Sequence, residues 1–178
     1  ETIKSDPVRI KAKNINPYLT DSPNQFINNR TKPLCDVTEI DFGNMPNDGG
    51  GLLLSDEDYQ DFIKQYPESK DFIKPMISGE EFLNGKNRWC LWLKDVPSNQ
   101  YSKIKGIMER IDLVKKHRLK STRKTTNELA QFPYLFGEIR QKDKGFLIIP
   151  RTTSENRQYI PMDFYSSDYI AHDTCQFL

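Results

Sequence analysis

The amino-acid sequence predicts an α+β fold, in which a mixed or antiparallel sheet with a β-hairpin platform packs against two main helices. Short apolar runs of strand length are bounded by turn residues, and two longer segments repeat apolar side chains at three- and four-residue steps. The 178 residues are enough for one domain with a substantial core. We therefore expect a single domain over residues 1–178. Its start at Glu rather than Met favours a domain excised from a longer chain.

Five segments have the composition of strands. Val, Ile and Ala alternate with Arg and Lys over 8–13, which predicts a strand with one basic face. The run 88–93 is strongly apolar and predicts a central strand. Its two tryptophans, Trp89 and Trp92, are interpreted as core residues, with base stacking as the alternative. The turn 142–145 predicts a hairpin between its flanking strands. The predicted strands are 8–13, 88–93, 134–140, 146–150 and 159–162.

Two helices are expected to cover the sheet. The first extends from residue 56 to about 66. Ser55 immediately precedes it, and Ser55 and Asp58 together match a capping box. The second extends from 98 or 99 to about 119 and keeps one apolar face. Both helices therefore have a side that can be buried against the strands.

Composition and motif spacing exclude several functional classes. The net charge is only +1, and no apolar run reaches the length of a membrane span, so we expect no membrane partner. Cys35, Cys90 and Cys175 are widely spaced and odd in number, which predicts buried free thiols in a reducing cytoplasm. His117 and His172 have no partner at metal-ligand spacing, so no metal site is expected. Spacing alone leaves a Cys–His nucleophilic pair open, although no other feature supports one.

The end of the second helix carries a cluster of cations. Six fall within ten residues with no acid among them. A helix C-terminus favours two or three cations through its dipole, and a solvated helix end is the alternative explanation. Six exceed that requirement and predict contacts to phosphates. The predicted phosphate-binding residues are Lys115, Lys116, Arg118, Lys120, Arg123 and Lys124.

The segment 134–162 carries side chains suited to reading base edges. Arginine can fork onto guanine O6 and N7, glutamate can accept from the cytosine amine, and asparagine can pair with adenine. An ordinary solvent-exposed hairpin with a polar loop is the alternative. The pattern does not distinguish Glu138/Arg140 from Glu155/Arg157 as the reading pair, because both have the same i, i+2 spacing. The predicted base-reading residues are Glu138, Arg140, Arg151, Ser154, Glu155, Asn156 and Arg157.

Six segments, in order along nearly the whole chain, resemble one family. They are NINPYL at 14–19, GNMPNDGG at 43–50, LLLS at 52–55, RWCLWL at 88–93, FGEIRQ at 136–141, and the run from 150 through SENR to YIP at 159–161. None is diagnostic alone, but the combination is fairly specific. Together they resemble the target recognition domain of the MmeI-like, type IIL restriction–modification enzymes and their methyltransferase relatives.

The resemblance implies a parent protein that joins an endonuclease, an adenine-N6 methyltransferase and this module. The parent would use S-adenosylmethionine for methylation and Mg²⁺ for cleavage, whereas this chain would hold no cofactor and no catalytic residue. The module would bind double-stranded DNA at a short asymmetric site. It would hold the duplex while the methyltransferase domain of the same chain flips an adenine.

An interaction or structural domain of a larger bacterial enzyme is the runner-up. It would use the region of Trp89 and Trp92, or the acidic stretch 36–61, which has eight acids and no Lys or Arg. A steep fall in DNA binding with added salt separates the first interpretation from this one. The glycine run 49–51 does not add a phosphate loop, because no Lys-Ser or Lys-Thr follows it.

Overall fold

Two four-stranded sheets form the framework of residues 38–178. They are seen in a computed structural model, which describes residues 8–26 and 28–178. The chain divides into two units, Glu1–Val37 and Thr38–Leu178, and each is described by itself. Helices and strands both contribute to the larger unit, which confirms the predicted α+β class.

The strands of the described residues are short and pair mainly in antiparallel fashion. They are β1 (Asp41–Phe42), β2 (Leu53–Ser55), β3 (Ile73–Ile77), β4 (Arg88–Leu91), β5 (Phe146–Pro150), β6 (Asp163–Tyr165), β7 (Ile170–Ala171) and β8 (Cys175–Phe177). One sheet has the order β2-β4-β3-β7 and is antiparallel except for β3 and β7. The other has the order β1-β8-β5-β6 and is antiparallel throughout.

Two of the predicted strands are confirmed, because β4 and β5 form where the apolar runs 88–93 and 146–150 were identified. The prediction for 8–13 is wrong: these residues form no strand, and the side chains of Val8 and Ile10 are 84% and 80% exposed. Alternation favours a strand only where another element covers its apolar face. The strand predicted at 159–162 is also wrong, since the ladder beside β5 is formed by the next residues, β6.

The strand predicted at 134–140 does not form, and the hairpin with 146–150 is therefore wrong as well. A single bridge joins Glu138 to Met45. Further along, the backbone N–H groups of Arg140 and Gln141 donate to the side-chain oxygen of Asn44 instead of to a neighbouring strand. A side chain here satisfies backbone donors that a ladder would otherwise satisfy. β5 pairs with β6 and β8, so the platform consists of different strands from those predicted.

The helices follow the predicted positions more closely. They are α1 (Asp56–Gln65), α2 (Gly79–Asn84), α3 (Ser98–Tyr101), α4 (Lys105–Leu119) and α5 (Lys124–Glu128), with 3₁₀ turns at Pro67–Phe72 and Leu129–Gln131. The capping box of α1 is confirmed, because the Ser55 hydroxyl accepts from the Asp58 N–H at 3.1 Å and the Asp58 carboxylate accepts from the Ser55 N–H at 3.3 Å. The second predicted helix is interrupted between α3 and α4, where Ile104 is extended.

Two apolar cores hold the larger unit together. The first joins the β2-β4-β3-β7 sheet to α1, α3 and α4, and the second lies on the β1-β8-β5-β6 sheet. Cys90 belongs to the first core and Cys175 to the second, where burial raises the pKa of Cys175 to about 12. Both are free thiols, as predicted, but Cys35 is exposed, so its predicted burial is wrong.

In the unit Glu1–Val37, the side chain of Asn16 holds a turn. Its Oδ1 accepts from the N–H groups of Tyr18 at 2.9 Å and Thr20 at 3.1 Å, and its Nδ2 donates to the Ser22 hydroxyl at 2.7 Å. Across the described part of the whole chain, no helix is both long enough and apolar enough to cross a membrane.

Candidate functional site

Arg118, on the last turn of α4, is fully buried. Its exposed fraction is 0%, so the prediction that it contacts phosphates is wrong. All five of its guanidinium N–H donors bind backbone carbonyls. Nε donates to Asn47 at 2.9 Å, Nη1 donates to Leu129 at 3.0 Å and Phe132 at 2.9 Å, and Nη2 donates to Pro46 at 3.0 Å and Leu135 at 2.7 Å. The side chain therefore has no free donor for a ligand.

The position of Arg118 on the helix explains its burial. Ile107, Ile111 and Val114 are buried, and Arg118 continues their spacing of four, three and four residues. It therefore lies on the core face of α4, which is the signal that sequence reasoning passed over. Burial lowers the pKa of its guanidinium, and the charge of Asp48 acts in the opposite direction. The Asp48 carboxylate also fixes the next turn by accepting from the Leu52 N–H at 2.6 Å.

The other five cations of the cluster, Lys115, Lys116, Lys120, Arg123 and Lys124, are exposed. Two carboxylates that lie just outside the ten-residue window pair with members of the cluster. Lys116 binds Asp112 at 2.6 Å, and Lys124 lies 3.9 Å from Glu128, each one helical turn away. Among the described residues, Lys115, Lys120 and Arg123 have no ion-pair partner. These three are the most available for an external anion.

Three cations, Lys120, Arg123 and Lys124, lie within residues 120–124, which lead from the end of α4 to the first residue of α5 and which we call the basic loop. The Asn127 side chain donates to the Leu119 carbonyl at 3.1 Å and closes the neck of this loop. Inside it, the Ser121 hydroxyl accepts from the Arg123 N–H at 3.2 Å. The basic loop is thus short, closed at its base and exposed at its tip.

Glu138 and Arg140, one of the two candidate reading pairs, bind each other. Arg140 Nη2 donates to the Glu138 carboxylate, and Nη1 donates to the Gly43 carbonyl at 3.3 Å. The side chains are 33% and 42% exposed for Arg140 and Glu138, so the pair is only partly open to solvent. To contact a base, either side chain would have to give up this ion pair.

Asn44, which sequence reasoning missed, fixes the backbone beneath that pair. It is fully buried, and its Oδ1 accepts from the N–H groups of Arg140 at 2.7 Å and Gln141 at 2.9 Å. Its Nδ2 donates to the Gln141 side chain and to the Ala171 carbonyl, both at 2.8 Å. Gln141 lies 97 residues away in sequence, so no local pattern could have indicated this contact.

The polar run 151–157 is held much more loosely. The Ser154 hydroxyl accepts from the Asn156 N–H at 3.2 Å, and the Ser154 carbonyl accepts from the Arg157 N–H at 3.1 Å. Within the described residues, the side chains of Glu155, Asn156 and Arg157 are exposed and have no hydrogen-bond partner. Their donors and acceptors are therefore free.

Arg151, at the start of this run, is anchored. Its Nη1 donates to the Asp173 carbonyl at 3.2 Å, and its guanidinium lies 4.9 Å from the centre of the Phe42 ring. Its side chain nevertheless remains exposed. Arg151 therefore marks the fixed end of the run, and residues 154–157 form the free part.

A cavity of about 420 Å³ lies next to Thr152. Behind its wall, the buried Glu81 carboxylate accepts from the Ser78 hydroxyl and from Arg88 Nε at 2.7 Å. Burial acts to raise the pKa of Glu81, but these two hydrogen bonds outweigh it and the pKa is lowered. Burial lowers the pKa of His172, which also lines the cavity.

The two tryptophans are occupied by protein contacts, as the core interpretation predicts. Trp89 stacks on Tyr59 with ring centres 3.9 Å apart, and its Nε1 donates to Asp56 at 2.9 Å. Trp92 is 8% exposed and packs edge-on against Phe136. Trp92 is therefore a core residue, whereas Trp89 is half-buried, with one ring face covered by Tyr59. In the described part of the chain, no three His, Cys, Asp or Glu side chains are grouped so as to hold a metal ion.

Comparison with known proteins gives consistent matches. The model of the MmeI target recognition domain matches residues 21–178. DNA methyltransferase A of Bacillus subtilis strain 168 is 45% identical over 168 residues, which are 93% of this chain and 19% of that protein. A solved structure of the type IIL restriction–modification enzyme MmeI in complex with DNA superposes with a TM-score of 0.92 at 37% identity, over 99% of this chain and 24% of that one.

The matches cover this chain nearly end to end but only part of its relatives. The chain spans about a fifth of the curated relative and about a quarter of the solved one. The residues matched by the family model include Asn44, Arg118, the basic loop and the polar run 151–157. The chain therefore belongs to the MmeI target recognition domain family.

Proposed function

We propose that this chain recognises a short asymmetric sequence in duplex DNA and holds the duplex for an adenine-N6 methyltransferase in the same protein. The observation that carries the proposal is the match, at a TM-score of 0.92 and 37% identity, to an enzyme solved in complex with DNA. The methyltransferase relative supports the second half of the proposal. The module itself positions DNA and carries out no bond chemistry.

Phosphate contacts are assigned to the exposed cations of the helix end. Lys115, Lys120 and Arg123 have the greatest freedom to bind phosphate oxygens, because no carboxylate of the described residues competes for them. Lys116 and Lys124 can exchange their surface ion pairs for phosphates at small cost, since such pairs contribute little in water. These contacts set the position of the domain and give affinity without sequence preference.

Base reading is assigned to the free part of the polar run. Glu155, Asn156 and Arg157 have unoccupied donors and acceptors, so they can bond to base edges without breaking a protein contact. Arg151 and Ser154 would support them, because the first anchors the run and the second shapes its turn. Glu138 and Arg140 remain the second candidate pair, and their mutual ion pair and the Gly43 contact count against them.

Cofactor chemistry is assigned to the rest of the parent protein. The glycine run 49–51 packs against α4, where a Cβ at Gly49 would meet the His117 ring at 2.5 Å and one at Gly51 would meet Val114 at 2.6 Å. The close approach of α4 therefore explains the glycines at 49 and 51 without a nucleotide. S-adenosylmethionine, and Mg²⁺ for cleavage, would be bound by the attached domains. We also infer a cytoplasmic location, where DNA is accessible and the cysteines stay reduced.

Competition binding with single-base variants of the recognised site tests the assignment. Arg157→Ala should cost roughly 1–3 kcal/mol and relax the preference at one base pair. Arg140→Ala should instead weaken binding to all sequences alike, because it removes the side-chain bonds that tie this segment to Gly43 and Glu138. The reverse result would move base reading to Glu138 and Arg140.

Salt dependence separates DNA recognition from a purely structural or protein-binding role. Binding through five cations should fall steeply as salt rises, because each neutralised phosphate releases counterions. Affinity for duplex DNA that is weak and independent of salt would overturn the proposal. The occupied tryptophan rings already weigh against a docking surface built on Trp89 and Trp92.

A further inference from the structure

The buried Arg118 lies immediately before the basic loop and binds the chain on the other side of it. Its Nη1 donors hold the carbonyls of Leu129 and Phe132, which follow α5. Both ends of the segment that carries Lys120, Arg123 and Lys124 are thus attached to one side chain. The Asn127 bond to the Leu119 carbonyl closes the same segment nearer to its tip.

The same guanidinium connects this segment to the chain beneath Glu138 and Arg140. Its other three donors hold the carbonyls of Leu135, Pro46 and Asn47. Residues 43–45 of the same stretch bind Glu138 and Arg140. Since an extended residue covers about 3.5 Å, residues 43 and 47 are at most about 14 Å apart. Arg118 therefore fixes the basic loop relative to a second anchored segment.

Stability alone would not require a charged side chain at this position. A buried ion is expensive to desolvate, and a well-packed apolar side chain of similar size often stabilises a fold as well or better. What an apolar side chain cannot do is hold five carbonyls from two separate stretches of chain in one planar geometry. This property gives orientation, which matters when several cations must reach phosphates at fixed spacing.

We propose that Arg118 is a positioning residue for DNA binding, which holds the basic loop so that Lys120, Arg123 and Lys124 engage phosphates together. The inference rests on the proposed function. Arg118 touches no DNA in this scheme. It reduces the conformational freedom that the loop would otherwise lose on binding, and Asn127 assists by closing the neck.

A double-mutant cycle in the full-length protein tests the inference. Arg118→Lys keeps the charge but offers three donors to five carbonyls. Asn127→Ala opens only the neck and is the milder variant if Arg118→Lys fails to fold. Each is combined with the triple variant Lys120→Ala, Arg123→Ala and Lys124→Ala, and affinity for a duplex carrying the site is measured over a range of salt.

In the wild-type background, Arg118→Lys and Asn127→Ala should each lower affinity for the duplex roughly tenfold. Each should also reduce the salt slope, that is, the slope of log affinity against log salt concentration, by about the amount expected for one phosphate contact. In the triple variant they should have no further effect, because the cations that they position are gone. Arg110→Lys is the matched control. Arg110 also lies on α4 and binds carbonyls, of Gly51 at 2.9 Å and Leu53 at 3.3 Å, but it holds no part of the basic loop. It should leave the salt slope unchanged.

Equal losses in both backgrounds, or a lowered melting temperature with unchanged affinity and slope, would overturn the inference and leave Arg118 a structural residue only. Failure of the proposed function has a different signature. In that case the wild-type protein itself would bind the duplex weakly and without dependence on salt.

Discussion

Residues 115–124 and 151–157 are both rich in polar side chains and both contain two arginines, but they differ in what surrounds them. The first covers the end of α4, and the second follows β5. In the first, Arg118 is buried and every one of its donors binds a carbonyl. In the second, Arg157 is exposed and its side chain has no partner among the described residues. The first run thus combines a fixed base with an exposed tip, whereas the second has one anchored end and a free remainder.

The difference shows that the availability of a cation depends on its neighbours and not on its residue type. A guanidinium on the core face of a helix can bind several carbonyls at once. Of the five that Arg118 binds, those of Pro46, Leu129 and Phe132 also accept from backbone N–H groups, whereas those of Asn47 and Leu135 have no other donor among the described residues. The Arg157 guanidinium, on an exposed loop, is open to solvent. A buried arginine such as Arg118 fixes the backbone of a site, whereas an exposed arginine such as Arg157 can contact a ligand and discriminate between sequences.

The largest expected effect follows from removing the buried guanidinium. Arg118→Met should lower the free energy of unfolding by about 5 kcal/mol, because five hydrogen bonds are lost at once and the carbonyls of Asn47 and Leu135 keep no other donor among the described residues. Chemical denaturation followed by circular dichroism measures it. Arg157→Met is the matched control and should stay within about 0.5 kcal/mol of the wild type, since its side chain is exposed. A small loss for Arg118→Met would mean that the carbonyls find other partners easily.

A second contrast uses two asparagines. Asn44→Ala should lower the free energy of unfolding by about 3 kcal/mol, because the N–H groups of Arg140 and Gln141 are left without an acceptor. Asn156→Ala, on the free part of the polar run, should change it by less than about 0.5 kcal/mol. The same denaturation experiment distinguishes them. Equal effects would show that the two asparagines are held alike, contrary to the structure.

Local signals were sufficient for part of the fold. The capping box of Ser55 and Asp58 needs only four consecutive residues, and the start of α1 was predicted correctly from them. The apolar runs of β4 and β5 were also recognisable, because burial on both faces leaves few polar residues. The segment 134–140 has a similar composition but different partners. Its backbone bonds depend on Asn44, which is almost a hundred residues away.

The candidate site was predictable to the same extent. The cation-rich segment and the polar run could be located from composition, because charged residues of one sign rarely cluster without a partner. Composition could not show which residues of these segments bind the protein itself and which remain available for DNA. Arg118 differs from Lys115 only in the helix face that it occupies, and that face is defined by Ile107, Ile111 and Val114. Asp112 and Glu128, which pair with two of the cations, lie just outside the cluster.

A smaller effect is expected at the tip of the basic loop. Lys120→Ala should weaken binding to all duplex sequences alike and lower the salt slope by about one phosphate contact. Fold stability should be unaffected, since the side chain is exposed and unpaired. Titrations at several salt concentrations measure the slope. A loss confined to one base pair would reassign Lys120 to base reading.

The smallest effect concerns the wall of the cavity next to Thr152, where the Glu81 carboxylate binds Ser78 and Arg88. The pKa of Glu81 is lowered from its ordinary value of 4.5, so the folded protein binds this proton less readily than the unfolded chain. Its contribution to stability is therefore present above pH 4.5 and is lost as the pH falls through the lowered pKa. Glu81→Gln should be less stable at neutral pH and should lose less stability on acidification.

Unfolding curves recorded between neutral and acidic pH test this directly. Glu80→Gln is the control, because Glu80 forms only a surface pair with Lys86, and both side chains are more than half exposed. Such a pair contributes little, so the pH profile of this variant should follow that of the wild type. If Glu81→Gln also followed the wild type, the carboxylate would not be the group that links this wall of the cavity to pH. The protonation of His172, whose lowered pKa also costs stability as the pH falls, would then account for the acid sensitivity.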